Sequence, residues 1–236
     1  MTITAQTTVG ELVAADFRAA AVLNRFGIDF CCGGKRTLAD ACGAHRLDAT
    51  RVLSEVYAAC ASAGEPPPRF NAWEPQTLVA YIVGQHHTYV RRVLPVIAGY
   101  LRKLAATHGG RHPELVDVER LWDDISGEMT AHMAKEEQVL FPYIVQLADA
   151  APRGEAVPTP PFGSIEFPIR MMEHEHDSAG DIVARIRRLT NGYTPPTDGC
   201  TTYRVCFQEL NAFEQDLHAH VHLENNILFP KARALA

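Results

Sequence analysis

Two stretches, AHMAKEEQVLFP (131–142) and AHVHLENNILFP (219–230), share the frame A-H-x-x-x-E-x-x-x-L-F-P and decide how this chain folds. A histidine and a glutamate four residues apart lie one turn apart on one face of a helix. His132 with Glu136, and His220 with Glu224, can therefore each reach one centre. Each copy sits on the second helix of a pair, and the first helix of each pair carries a histidine of its own. A duplicated helical hairpin packed against its copy is a natural route to a four-helix bundle.

Working outward, helical periodicity covers residues 74–107, 113–149, 164–191 and 200–234, separated by GGRHP, APRGEAVPTPPFG and NGYTPPTDG. No strand pattern interrupts this half, so the expected class is all-α. An inward seam recurs at alternating steps of three and four. On the first helix it takes Val83, His87, Val90 and Leu94, and on the second Leu121, Ile125, Glu128, His132, Glu136, Val139 and Tyr143. On the third it takes Ile165, Ile169, Met172, His176, Ala179, Val183 and Ile186, and on the fourth Phe213, Leu217, His220, Glu224, Ile227 and Lys231. Periodicity thus prefers His87 over His86, His176 over His174, and His220 over His218 or His222.

One seam histidine is ordinarily a hydrogen-bonded core residue. Four histidines and two carboxylates at one level of a bundle are a different matter, because burying an unpaired carboxylate costs several kcal/mol. A metal turns that cost into coordination. Six nitrogen and oxygen ligands without thiolate, arranged with pseudo-two-fold symmetry, suit a pair of iron or manganese ions bridged by the glutamates. Glu128, one turn before His132, and Asp216, one turn before His220, are candidates to accept the far ring N–H of a ligand histidine or to relay protons. A solvated acidic face is the competing reading for both.

Charge excludes other functions. Lys+Arg number 22 against 28 Asp+Glu, a net charge of -6 that offers nucleic acid no footprint. No apolar run approaches the roughly 18–20 residues of a membrane span. The opening MTITAQTTVGELVAADF has no basic start followed by an apolar stretch, so no signal peptide is expected and the cytoplasm is the simplest location.

The first 60 or so residues read as short helices. Thr8 and Glu11 stand at capping-box spacing, and Asp16 is the expected N-cap of FRAAAVLNRF, which Gly27 ends. Thr37 and Asp48 are the expected caps of two more helices. IDFCCGGKR carries adjacent cysteines, for which thiol chemistry, transient metal binding and plain burial are all open. The prolines of SAGEPPPRFNA (62–72) mark a linker. The expected organisation is a small helical domain (1–62), a proline-rich linker (63–73) and an antiparallel four-helix bundle (74–236).

Through NRFGIDFCCGGKRTLADAC, HMAKEEQVLFP, EHDSAG and HVHLENNILFP, the chain resembles the repair-of-iron-centres family, whose members join a short Cys-Cys-Gly-Gly domain to a hemerythrin-like domain. The likeness covers almost the whole chain. It implies two non-haem iron ions, oxo- and carboxylate-bridged, on His87, His132, Glu136, His176, His220 and Glu224, and it singles out Cys31 and Cys32 as functional thiols. It implies repair of iron-sulfur clusters damaged by nitrosative or oxidative stress. The partners would be damaged or apo iron-sulfur proteins, with nitric oxide or O₂ as small ligands, and a homodimer is allowed for. A di-iron nitric oxide reductase and an O₂- or NO-binding sensor are the alternatives. Cys42, Cys60, Cys200 and Cys206 are expected to be packing residues.

Overall fold

A computed structural model of the chain describes residues 3–61, 67–157 and 159–236. The described residues are all-α, with one isolated bridge between Thr8 and Thr37 and no named strand. The start of the expected linker, 62–66, lies outside the described residues. No helix of the described residues is long and apolar enough to cross a membrane. The chain falls into two compact units, one of Met1–Val79, Ile144–Val157 and His218–Ala236 and the other of Ala80–Tyr143 and Pro158–Leu217.

In the first unit, short helices are fixed by local chemistry. Helix α1 (Val9–Ala15) opens with the Thr8–Glu11 capping box, which satisfies two backbone N–H groups reciprocally. Helix α2 (Arg18–Arg25) starts one residue later than the sequence suggests. Asp16 still accepts the Arg18 backbone N–H at 3.0 Å, and its carboxylate also pairs with the Arg18 guanidinium. Gly27, at φ +69°, ends the helix in the left-handed region. Thr37 caps α3 (Leu38–Ala44) and Asp48 caps α4 (Ala49–Cys60), as their spacing predicts. The later part of the proline-rich segment is folded, since Phe70–Ala72 form a 3₁₀ turn and Phe70 packs edge-on against Phe17 and Trp73.

Three of the long helical segments contain a π turn, and each π turn begins or ends at a ligand-type residue. Helix α5 (Pro75–Tyr81) passes through Ile82–His87 into α6 (Thr88–His108). Helix α7 (Glu114–Lys135) passes through Glu136–Leu140 into α8 (Phe141–Ala150). After α9 (Glu166–Leu189), which has no π turn, α10 (Thr201–Leu223) passes through Glu224–Leu228 into α11 (Phe229–Leu235). The repeated frame accounts for two of these turns. Its Glu opens the wide turn, its Leu closes it, and its Pro (142 or 230) lacks the N–H that a regular turn would donate back and would crowd that carbonyl.

A π turn holds one residue more than an α turn, so the buried face shifts by one position across it. The expected Val139 is 46% exposed, while Leu140 and Ile144 are buried in the places assigned to Val139 and Tyr143. Likewise Ile82 rather than Val83 is buried, and Leu228 and Ala232 rather than Lys231. On α9 the buried residues are the expected Ile169, Met172, His176, Ala179, Val183 and Ile186. Glu128 also departs from expectation. Met129 takes the seam and Glu128 is exposed, because two residues 100° apart cannot both face inward and the apolar one gains by burial.

In the second unit α6 packs on α7 and α7 on α9. Trp122 meets Phe213 edge-on at 4.8 Å and donates its indole N–H to the Leu94 carbonyl at 3.1 Å, so its polar corner is satisfied inside the core. Each such fully buried large apolar side chain contributes about 1.5–3 kcal/mol. Arg187 and Glu214 form an ion pair at 2.7 Å with the carboxylate buried.

Candidate metal centre and cysteine loop

His87 closes the first π turn, His132 lies in the last turn of α7, Glu136 opens the second π turn, and His176 sits mid-way along α9. All four are at most 2% exposed, so the Glu136 carboxylate has no bulk water to stabilise it. His87 Nε2 and His132 Nε2 each lie 3.3 Å from Glu136 Oε2, and His176 Nε2 lies 3.1 Å from His132 Nε2. One ligand atom from each of His132, Glu136 and His176 falls within 4.8 Å of the others. In the first unit His220 Nε2 stands 2.9 Å from Glu224 Oε1, with both residues wholly buried.

The outer edges of two histidines explain how the inner ones are aimed. His87 Nδ1 is 2.6 Å from Glu137 Oε1, which Arg91 also contacts at 2.6 Å, and His132 Nδ1 is 2.9 Å from Glu175 Oε2, a carboxylate that Lys135 also holds. Burial works against charge on Glu137, but hydrogen bonds from His87 and Arg91 outweigh it and keep that carboxyl below the usual range. The hydrogen bond from His132, opposed by burial and aided by Lys135, takes the Glu175 carboxyl down to about 2. An ionised carboxylate only accepts, so each Nδ1 must carry the hydrogen, and Nε2 is the ring nitrogen left facing inward, where its lone pair could meet a metal. That is how histidine ligands are oriented and made more basic for a metal, and the donor set fits a divalent or trivalent cation.

Both expected outer carboxylates are engaged by residues other than the histidine one turn on. Glu128 accepts from Ser178 Oγ at 3.2 Å on the surface, since His132 is already engaged by Glu175. Asp216 pairs with His86 Nδ1 at 2.9 Å, which also explains why that neighbour of His87 is buried. The residues missed, Glu137 and Glu175, carried one signal: each adjoins a ligand-type residue, Glu136 or His176. His174 is exposed. His222 is wholly buried for a separate reason, packed against Phe17 and Phe30, and burial pushes it down to about 4.

The cysteine loop is built on Asp29. Its Oδ1 accepts the N–H groups of Cys31 and Cys32 at 2.9 and 3.1 Å, and its Oδ2 accepts that of Gly33 at 2.9 Å. The Cys31 thiol donates to the same carboxylate at 3.0 Å, and the two sulfurs are 4.0 Å apart. The thiols are unequal, with Cys31 buried and Cys32 half-buried. The Cys32 contact, burial and the Asp29 charge push the Cys31 thiol up. Among the other cysteines, Cys42 and Cys206 are buried and Cys60 is half-buried, but Cys200 is exposed at the mouth of α10 and is no packing residue. Its sulfur accepts the free backbone N–H groups of that helix end, which lowers its thiol.

The Hemerythrin HHE cation binding domain matches residues 78–232, and a Domain of Unknown function (DUF542) matches residues 5–59. The chain is 35% identical to the iron-sulfur cluster repair protein YtfE of Musicola paradisiaca, over 95% of each chain. It is also 35% identical to that of Edwardsiella ictaluri, over 95% of each chain. The chain belongs to the YtfE iron-sulfur cluster repair family. A further family member, from Escherichia coli O81, is 33% identical over 96% of each chain, so the likeness spans both the cysteine loop and the histidine–glutamate repeats.

Proposed function

We propose that this protein repairs iron-sulfur clusters damaged by nitrosative or oxidative stress, using two non-haem iron ions held by His87, His132, Glu136, His176, His220 and Glu224. The observation that carries the reading is the buried Glu136 carboxylate approached by two histidines whose outer nitrogens are locked by Glu137 and Glu175. The duplicated His-x-x-x-Glu frame supports a pair of ions, since each copy supplies one histidine and one glutamate capable of bridging. When bound, such a pair would supply redox chemistry towards nitric oxide or O₂. Glu137 and Glu175 hold the Nδ1 protons in place and keep His87 and His132 strong donors. Cys32 is the approachable thiol that would meet a client, and Cys31 stands behind it. The clients are apo or damaged iron-sulfur proteins, and the cytoplasm, where thiols stay reduced, is the compartment this chemistry needs.

The test uses full-length protein loaded anaerobically with isotopically labelled iron and a purified enzyme whose activity requires an iron-sulfur cluster destroyed by nitric oxide. Recovery of client activity with label incorporated into the rebuilt cluster is the expected result. Turnover of nitric oxide to nitrous oxide with an electron donor, and no client recovery, would replace repair with reduction as the function.

A further inference from the structure

Asn226 stands two residues beyond Glu224 in the π turn Glu224–Leu228, and its side chain engages the cysteine loop. Its Nδ2 donates to the carbonyl oxygens of Phe30 at 3.1 Å and Cys31 at 3.0 Å. Those two acceptors match the two hydrogens of an amide NH₂ group. His222 Nδ1 lies 3.2 Å from the same nitrogen, and the His222 ring meets Phe30 edge-on at 5.6 Å.

The other end of the amide explains two glycines. A Cβ added at Gly34 would stand 2.1 Å from Asn226 Oδ1, and one added at Gly10 would stand 2.6 Å from it. No real side chain tolerates either distance. The second glycine of Cys-Cys-Gly-Gly is therefore set by close approach to Asn226, while a Cβ on Gly33 would meet the Asp29 carboxylate at 3.2 Å. Asp29 pins the loop from within, and Asn226 pins it from the turn that leads into α11.

We propose that Asn226 is the positioning residue of the cysteine pair, clamping the backbone of Phe30 and Cys31 to the turn that bears Glu224 and thereby keeping Cys31 shielded while Cys32 stays approachable. The importance of the clamp rests on the repair reading of these thiols, but its test does not. The clamp distinguishes the Cys-Cys-Gly-Gly loop from an independent mobile arm, because the amide that holds the loop sits on the same turn as a proposed metal ligand.

The experiment measures iodoacetamide alkylation of each cysteine by mass spectrometry in the full chain, with buried Cys206 of the other unit as internal control. Asn226→Ala should speed Cys31 alkylation by roughly tenfold, the opening expected on losing two neutral hydrogen bonds, and leave Cys206 unchanged. Asn226→Asp, similar in size but without the donors, should do the same. Gly34→Ala should also release Cys31, because its Cβ must displace the amide. In Asn226→Ala/Gly34→Ala that clash is gone, so the pair should be no faster than Asn226→Ala alone. Unchanged Cys31 labelling in Asn226→Ala, or fully additive effects in the pair, would overturn the clamp. Should Asn226→Ala release Cys206 as well, Gly34→Ala decides the matter: selective release of Cys31 there supports the clamp, and unselective release refutes it. Normal repair by Cys31→Ser/Cys32→Ser would remove the thiols from the repair reading and leave the labelling result standing.

Discussion

His132 Nδ1 lies 2.9 Å from Glu175 Oε2, so a carboxylate on α9 aims a histidine of α7 inward from across the helix pair. Glu175→Gln keeps the shape but removes the charge that fixes the ring. Iron affinity, measured by competition with a chelator, should fall about 10–100-fold. Glu128→Gln, on the exposed side of α7, should change nothing.

Neighbouring histidines on α9 give a sharper contrast. His176 is 1% exposed and 3.1 Å from His132, whereas His174 is exposed. His176→Ala should lose or disorder iron, and His174→Ala should keep it. Equal loss in both, read by metal analysis of the folded proteins, would contradict the assigned phase of this helix.

The same helix shows what can be read from sequence. Along α9 a regular helical period holds, and His176 and its apolar neighbours are identifiable from spacing alone. Where a π turn intervenes the period slips by one residue. Spacing then puts Val139, Val83 and Lys231 a step off the buried face, while His132, Glu136, His220 and Glu224, lying before the slip or at its start, keep their places. Partners from other elements leave no periodic trace. Glu175 for His132, His86 for Asp216 and Asn226 for the Cys31 carbonyl are set by packing, which spacing within one helix does not encode.

Cys200 is exposed and its thiol is lowered by the backbone N–H groups of the α10 end, while Cys31 is buried and raised. Thiolate is the reactive form. Near neutral pH, Cys200 should be the first of the six cysteines to be alkylated and Cys31 among the slowest. Cys200→Ser should remove the fast phase.

Alkali should unfold the second unit through its buried acids. Burial pushes the Cys206 thiol from 9.0 up to about 12, and Tyr89 and Tyr203 from 10.0 to about 12. A raised value in the folded state favours the protonated form there. The contribution is therefore complete below pH 9 and is lost as pH climbs towards 12, where the unfolded chain ionises first. Urea midpoints should fall progressively above about pH 9, with Cys206 alone accounting for roughly 2–3 kcal/mol by about pH 11. In Cys206→Ala, less stable at neutral pH because of the cavity, the alkaline slope should be shallower.

The most direct measurement of the central claim is iron stoichiometry. Full-length protein, stripped and then titrated anaerobically with ferrous iron, should saturate at about two ions per chain, because each His-x-x-x-Glu copy brings one histidine and one glutamate to the pair. His220→Ala and His132→Ala should each lower that number. Saturation of the intact protein at a single ion per chain would contradict the account.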